Sequence, residues 1–188
     1  MSRKLVILLG AIVGGCGGAG GSAPVPSAEA LLDGPVGATL DTLLGAIDLA
    51  AADARGGDAR VRGEPVRILL DVAPDGSVDV EAVGSRRTEA TLRLVPDPDK
   101  GTGVTGTITT ESPDGTLVEA TLERVYVRTV ADLPGVGTGA VFSSGNVDFE
   151  VRSDGDLVAT GTAALIGRRA VVALTIAGEH STSTVDLN

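Results

Sequence analysis

The sequence is poor in the side chains that usually build reactive or aromatic sites. It has one cysteine, one histidine and no tryptophan, and aromatic residues make up only 2% of the chain. A single cysteine excludes an internal disulfide bond. Tyr126, Phe142 and Phe149 are too few for the aromatic anchors on which sugar sites and many interfaces depend. We therefore expect a core of aliphatic residues and alanine, and no carbohydrate-binding module.

Positive charge is also scarce. The chain has 15 lysine and arginine residues against 25 aspartate and glutamate residues, which gives a net charge of −10 at pH 7. Such a surface repels nucleic acid and anionic lipid headgroups. The composition therefore predicts no nucleic-acid partner, and it suits either solubility or a cationic partner.

The N-terminus has the organisation of an export signal. Arg3 and Lys4 precede an apolar stretch at residues 5–13, which is shorter than the ~20 residues that a membrane-spanning helix needs. Small residues follow Val13, as they do before a signal-peptide cleavage site. Residues 1–15 are therefore predicted to be a signal peptide.

The segment Val13-Gly14-Gly15-Cys16 resembles the lipobox of bacterial lipoprotein precursors. The resemblance covers residues 1–16 only and says nothing about the mature domain. It implies that Cys16 carries lipid, that cleavage occurs just before it, and that the protein is exported and held at a bacterial membrane through this lipid. Because Gly17 rather than aspartate follows the cysteine, the resemblance also implies the outer membrane.

Residues 16–38 are predicted to be a flexible tether, because glycine, alanine, serine and proline dominate the part that follows Cys16. Residues 39–188 are then a single β-rich domain with an N-terminal helix. That helix is predicted at 39–55. Leu40, Leu43 and Leu44 begin an apolar stripe at helical spacing, Thr39 is suited to the N-cap, and two glycines follow the last turn.

From residue 64 onward, apolar residues alternate with polar ones, which indicates β-strands. Asp-Gly pairs at 75–76, 114–115 and 154–155 are typical of tight hairpin turns. The predicted strands are 65–73, 77–84, 88–95, 103–111, 116–128, 146–152, 156–166 and 170–177, with a ninth candidate at 182–187. The fold class predicted is mainly β, an antiparallel meander of eight or nine strands that forms a curled sheet or small barrel with one amphipathic helix packed on it.

Two motifs resemble cofactor or metal sites but lack the required context. The run from Gly101 to Gly106 matches G-x-G-x-x-G, but a β-branched run follows where a dinucleotide site needs a helix. Asp97 and Asp99 are spaced like the first ligands of a calcium loop, whose twelfth position holds Ile108 instead of glutamate. We therefore expect no cofactor and no metal.

The sequence has no clear catalytic signature. His180 is the only histidine, and no cysteine is free if Cys16 carries lipid. Carboxylates are plentiful, but they alternate along the wet faces of strands, where solubility explains them. We expect a protein that is not an enzyme; the alternative is an envelope hydrolase that uses surface carboxylates.

Two binding functions fit such a domain. A hollow interior would hold a small apolar ligand, whereas an exposed surface would make the domain an interaction or structural module for another envelope protein. Because turns alternate between the two ends of a meander, the predicted loops 96–103 and 129–145 should share one end. Phe142 lies in the second loop, where it either contacts a ligand or partner or folds back over the core.

Overall fold

The computed structural model describes residues 25–133 and 137–187. The predicted signal peptide and Cys16 lie outside the described residues. Ten antiparallel strands form one meander sheet in sequence order, with β1 and β10 at its edges, and the sheet does not close into a barrel. A helical segment packs on one face. The predicted fold class is confirmed.

The helical segment begins earlier than the sequence suggested. Helix α1 spans Ala28–Asp33 and is capped by the side chain of Ser27, and helix α2 spans Pro35–Ala51. Proline is favoured at the first position of a helix because its missing N–H needs no partner there. The N-cap of α2 is therefore Gly34 and not the predicted Thr39, which lies inside the helix.

The predicted boundary between tether and domain at residue 38 is consequently wrong. Leu31, Leu32 and Val36 are buried in the same core as the sheet. These apolar residues lie just before the apolar stripe of α2, beyond the glycine- and proline-rich part on which the prediction of a tether rests. The packed domain therefore includes the residues from Ala28 onward.

Helix α2 lies on the inner face of the sheet. Leu40, Leu43, Leu44 and Ile47 are at most 4% exposed, as their spacing predicted. By length and composition, the helical segment Ala28–Ala51 is apolar enough to cross a membrane, with a mean hydropathy of 1.2 over its most apolar stretch of 18 residues. However, 78% of these 18 residues are buried inside the fold. That burial identifies it as a core helix of this domain.

Nine of the ten strands correspond to predicted ones. They are β2 (Glu64–Val72), β3 (Ser77–Val83), β4 (Arg87–Asp97), β5 (Gly101–Glu111), β6 (Thr116–Leu133), β7 (Gly137–Ser153), β8 (Asp156–Ile166), β9 (Arg169–Ile176) and β10 (Glu179–Asp186). Strand β1, Gly56–Val61, was missed. Its two glycines were interpreted as the end of the helix, which in fact ends at Ala51.

The segment 129–145, predicted as a loop, is mostly strand. Strands β6 and β7 extend into it as a long hairpin, with Val127 opposite Phe142 and Thr129 opposite Ala140. The glycine and serine content of this region concealed the strand, because these residues give no apolar alternation. Residues 134–136 of this segment lie outside the described residues.

The glycines of the G-x-G-x-x-G motif belong to strand β5. The ladder between β5 and β6 shifts register between Val104 and Gly106. Gly106 has φ +141°, and a Cβ atom there would collide with the carbonyl oxygen of Thr91 on the neighbouring strand. This glycine is therefore required by the bulge, a structural role that glycines in strands commonly have.

Candidate functional site

An accessible surface lies on the solvent face of the sheet, opposite the helix. Two open depressions, each about 590 Å³, cross β2–β5 and β5–β8. Thr107 and Thr109 line both of them, so the two depressions adjoin each other. We call this surface the acidic trough. Its acidic residues are Asp71, Asp79, Glu81, Glu89, Glu119, Asp148 and Glu150.

Six of these seven carboxylates lie directly opposite another carboxylate on the adjacent strand. The pairs are Asp71 with Asp79, Glu81 with Glu89, and Glu119 with Glu150. Like charges directly opposite each other in an antiparallel pair are destabilising. The trough therefore carries carboxylates in pairs that lower the stability of the folded state, although stability would be higher if these charges lay farther apart.

Neighbouring side chains compensate this charge only in part. Arg87 forms an ion pair with Glu89 at 2.5 Å, and Arg152 contacts Glu150 at 2.6 Å and Glu119 at 3.6 Å. The hydroxyl of Thr91 donates a hydrogen bond of 2.9 Å to Asp79. All of these groups are exposed or half-exposed, so each contact stabilises the fold by at most about 1 kcal/mol.

Threonines fill the middle of the trough. Thr91, Thr107 and Thr121 lie directly opposite one another on successive strands, and the row ends at Asp79 on one side and Asp148 on the other. Threonine hydroxyls can both donate and accept hydrogen bonds. The trough can therefore offer a partner hydrogen bonds as well as negative charge.

Outside the trough, Asp75 in the hairpin between β2 and β3 has a shifted pKa. The pKa of Asp75 lies below its ordinary value of 3.8 because the backbone N–H and the hydroxyl of Ser77 donate hydrogen bonds to its carboxylate. The backbone bond measures 3.0 Å. This carboxylate closes the Asp-Gly turn that the sequence predicted, and its role is structural.

Phe142 lies in the core, with 2% of its surface exposed. Its backbone exchanges two hydrogen bonds with Gly167, at 2.8 and 2.7 Å. Of the two roles left open by the sequence, the structure therefore places Phe142 in the one that closes the end of the core. Its side chain is not exposed to a ligand or partner.

The predicted loops 96–103 and 129–145 do meet at one end of the sheet. Ser143 donates a hydrogen bond of 3.3 Å to the backbone oxygen of Lys100, and Arg128, the residue before the second segment, donates one of 2.9 Å to that of Asp99. The turns at Gly115 and Gly155 lie at the other end, because successive turns of the meander alternate. The predicted neighbourhood is confirmed, although strands and a short turn form it instead of two long loops.

Asp97 uses its carboxylate within its own turn. Its Oδ1 atom accepts hydrogen bonds from the backbone N–H groups of Asp99 and Lys100, at 2.9 and 3.0 Å. Within residues 25–133 and 137–187, no group of three histidine, cysteine, aspartate or glutamate side chains is arranged to hold a metal ion. His180 lies on the edge strand β10, where Nδ1 is 2.8 Å from the hydroxyl of Thr175.

The alternation of polar residues in the sequence indicates which side chains are exposed, but it does not fix the register that pairs the acids. The hairpin between β2 and β3 closes at Ala73 and Ser77, around three residues, and this register places Asp71 opposite Asp79. A two-residue Asp-Gly turn at 75–76 would instead place Asp71 opposite Val80. No family model, curated protein or solved structure matches this chain.

Proposed function

We propose that this protein is a non-catalytic interaction module of the bacterial cell envelope, held at the membrane by lipid on Cys16, which presents the acidic trough to a cationic partner surface. The observation that carries the proposal is the set of three carboxylate pairs facing each other across strands. Electrostatic complementarity of this kind gives binding its specificity and a fast association rate.

The interior of the sheet argues against the other binding function. An apolar ligand needs a hollow core, and in the described structure α2 packs against the inner face. Leu40 and Leu44 are at most 1% exposed, and Ile68 and Val104 of the sheet are fully buried. The space in which an apolar ligand would lie is thus filled by the chain itself, and this favours a function at the outer surface.

The partner proposal is tested by photo-crosslinking in the native host. A photoreactive residue at Thr107, in the centre of the trough, should capture one envelope protein with a basic surface. The same residue at Asp154, in the turn between β7 and β8, should not. The combined substitutions Glu81→Gln, Glu119→Gln and Glu150→Gln should abolish the adduct.

Glu179→Gln is the matched control, because it removes one carboxylate outside the trough and should leave the adduct unchanged. The proposal is overturned if Thr107 gives no specific adduct, or if the adduct survives neutralisation of the trough.

The membrane anchor is tested separately by the intact mass of protein isolated from its host. We expect Cys16 as the first residue, with an acyl-glyceryl adduct, and release of a Cys16→Ser variant from the membrane fraction. An unmodified thiol in a protein that is already released would contradict the anchor without affecting the trough.

A further inference from the structure

The two edges of the open sheet differ in how much backbone they offer for pairing. Strand β1 has six residues, two of them glycine, and α2 packs against it so closely that Leu49 fills the space beside Gly57. Strand β10 has eight residues and pairs with β9 in an uninterrupted register. It contains none of the prolines, lysines or bulges that commonly protect edge strands. The edge at β10 is therefore the one suited to strand addition.

The direction of the unpaired groups follows from the ladder. The N–H of Leu187 donates to the carbonyl of Arg168 at 2.9 Å, so the odd-numbered residues of β10 direct their backbone groups toward β9. The even-numbered residues direct theirs away from the sheet: His180, Thr182, Thr184 and Asp186. Each offers one N–H and one carbonyl, and none of these groups bonds to another residue in the described part of the chain.

The edge is also open in space. A groove of about 630 Å³ separates the end of β10 from α1 and Arg62. Ser183 and Thr184 line this groove and are exposed. The groove therefore leaves space between α1 and β10 at this end of the strand.

We infer that β10 pairs with β10 of a second copy of this chain, in an antiparallel register centred on Ser183. This register places Thr182 opposite Thr184 of the second copy, and His180 opposite Asp186. All four outward-facing residues then exchange backbone hydrogen bonds, eight bonds in total by the pairing rule for antiparallel strands.

Other antiparallel registers between the two copies of β10 form fewer backbone hydrogen bonds. A shift of two residues in either direction leaves one of the four outward-facing residues opposite a residue beyond the strand. The favoured register also sets threonine against threonine and an imidazole against a carboxylate, which are favourable cross-strand neighbours. Self-complementarity of this kind is what a two-fold symmetric interface requires.

Net charge opposes the pairing of two copies, because each chain carries −10 at pH 7. This repulsion acts at long range and is screened beyond about 8 Å at physiological ionic strength. Backbone hydrogen bonds are local and are not screened in this way. The paired form should consequently increase when salt is added.

Disulfide trapping of the full-length protein in its native membrane tests the register directly. In the paired form the two copies of Ser183 lie opposite each other at a non-hydrogen-bonded position, with Cα atoms about 4.5 Å apart, which is within disulfide range. Mild oxidation of a Ser183→Cys variant should make the disulfide-linked dimer the main species.

Glu179→Cys is the matched control, because the two copies of residue 179 would lie about 27 Å apart along the strands. It should not link. Thr184→Pro removes only an outward-facing N–H, so adding it to Ser183→Cys should prevent linking, whereas Thr184→Ser should not.

The inference is overturned if Ser183→Cys stays monomeric, if Glu179→Cys links equally well, or if Thr184→Pro has no effect. The unmodified chain carries only Cys16 and reports independently on the anchor. If that chain links by itself, Cys16 is a free thiol and the proposed lipidation fails, whereas the comparison between residues 183 and 179 remains valid.

Discussion

On the inner face of the sheet, Ile68 and Val104 are completely buried beneath the helical segment, whereas Leu69 and Val171 on the solvent face remain 44% and 41% exposed. The inner face is aliphatic almost throughout. The solvent face carries carboxylates set against carboxylates and a row of threonines. The comparison teaches that one face supplies the folding energy, while the other carries charges that folding does not require.

The largest expected difference between the two faces is the loss of unfolding free energy when a leucine on each is replaced by alanine. Leu44→Ala removes a fully buried side chain and should lower the free energy of unfolding by about 2–5 kcal/mol. Leu69→Ala removes the same atoms from the solvent face and should change the free energy of unfolding by less than about 0.5 kcal/mol. Urea unfolding of both variants checks the difference. Equal losses would mean that α2 does not contribute to the core.

An intermediate effect is expected where the helix is held to the sheet by polar contacts. Asp48 of α2 accepts a hydrogen bond of 2.6 Å from the backbone N–H of Ala140 and is paired with Arg168 at 3.0 Å. Asp48→Ala leaves the buried N–H of Ala140 without an acceptor and should cost about 1–3 kcal/mol.

Arg168→Ala is the milder partner of this experiment, because Asp48 keeps its bond to Ala140. Its loss of unfolding free energy, also measured with urea, should be smaller than that of Asp48→Ala. The reverse order would show that the ion pair, and not the backbone contact, holds the end of the helix.

The smallest effect concerns Asp75, which lies in a turn and belongs to neither face. Its pKa is lowered in the folded state, so its contribution to stability is present above the unfolded pKa and is lost as pH falls through the folded pKa. Asp75→Asn should therefore lower the melting temperature slightly at neutral pH. The difference should begin to shrink as pH falls below the ordinary pKa of 3.8, and the variant and the unmodified protein should converge below the lower pKa of the folded state. A difference that persists in acid would assign the effect to turn geometry instead of charge.

How much could be predicted from the sequence differed between the two faces. Alternation and the Asp-Gly turns were enough to predict nine strands and the meander, because burial on one face imposes a strict period. Helical spacing was enough to predict the buried stripe of α2. Strands were not predicted where apolar and polar residues do not alternate, as in strand β1, which begins with two glycines, and in the glycine- and serine-rich stretch before Asn146.

The candidate functional residues could be predicted from the sequence less well than the fold. Phe142 was singled out as an aromatic residue in an apparent loop, but it is buried because the strand continues through that segment. The acid pairs depend on register across several strands, and single residues do not reveal them. Conversely, the lipobox depends on local sequence alone, and Cys16 therefore remains a prediction that the described structure neither supports nor opposes.

The most direct test of the difference between the faces is the free energy of unfolding after one member of each acid pair is neutralised, in a variant combining Asp71→Asn, Glu81→Gln and Glu119→Gln. Relief of repulsion between directly opposed carboxylates should raise the free energy of unfolding by about 1 kcal/mol in low salt, and high salt should remove most of this gain. A loss of stability, or a gain that salt does not change, would contradict the claim that the solvent face carries charge at the expense of folding.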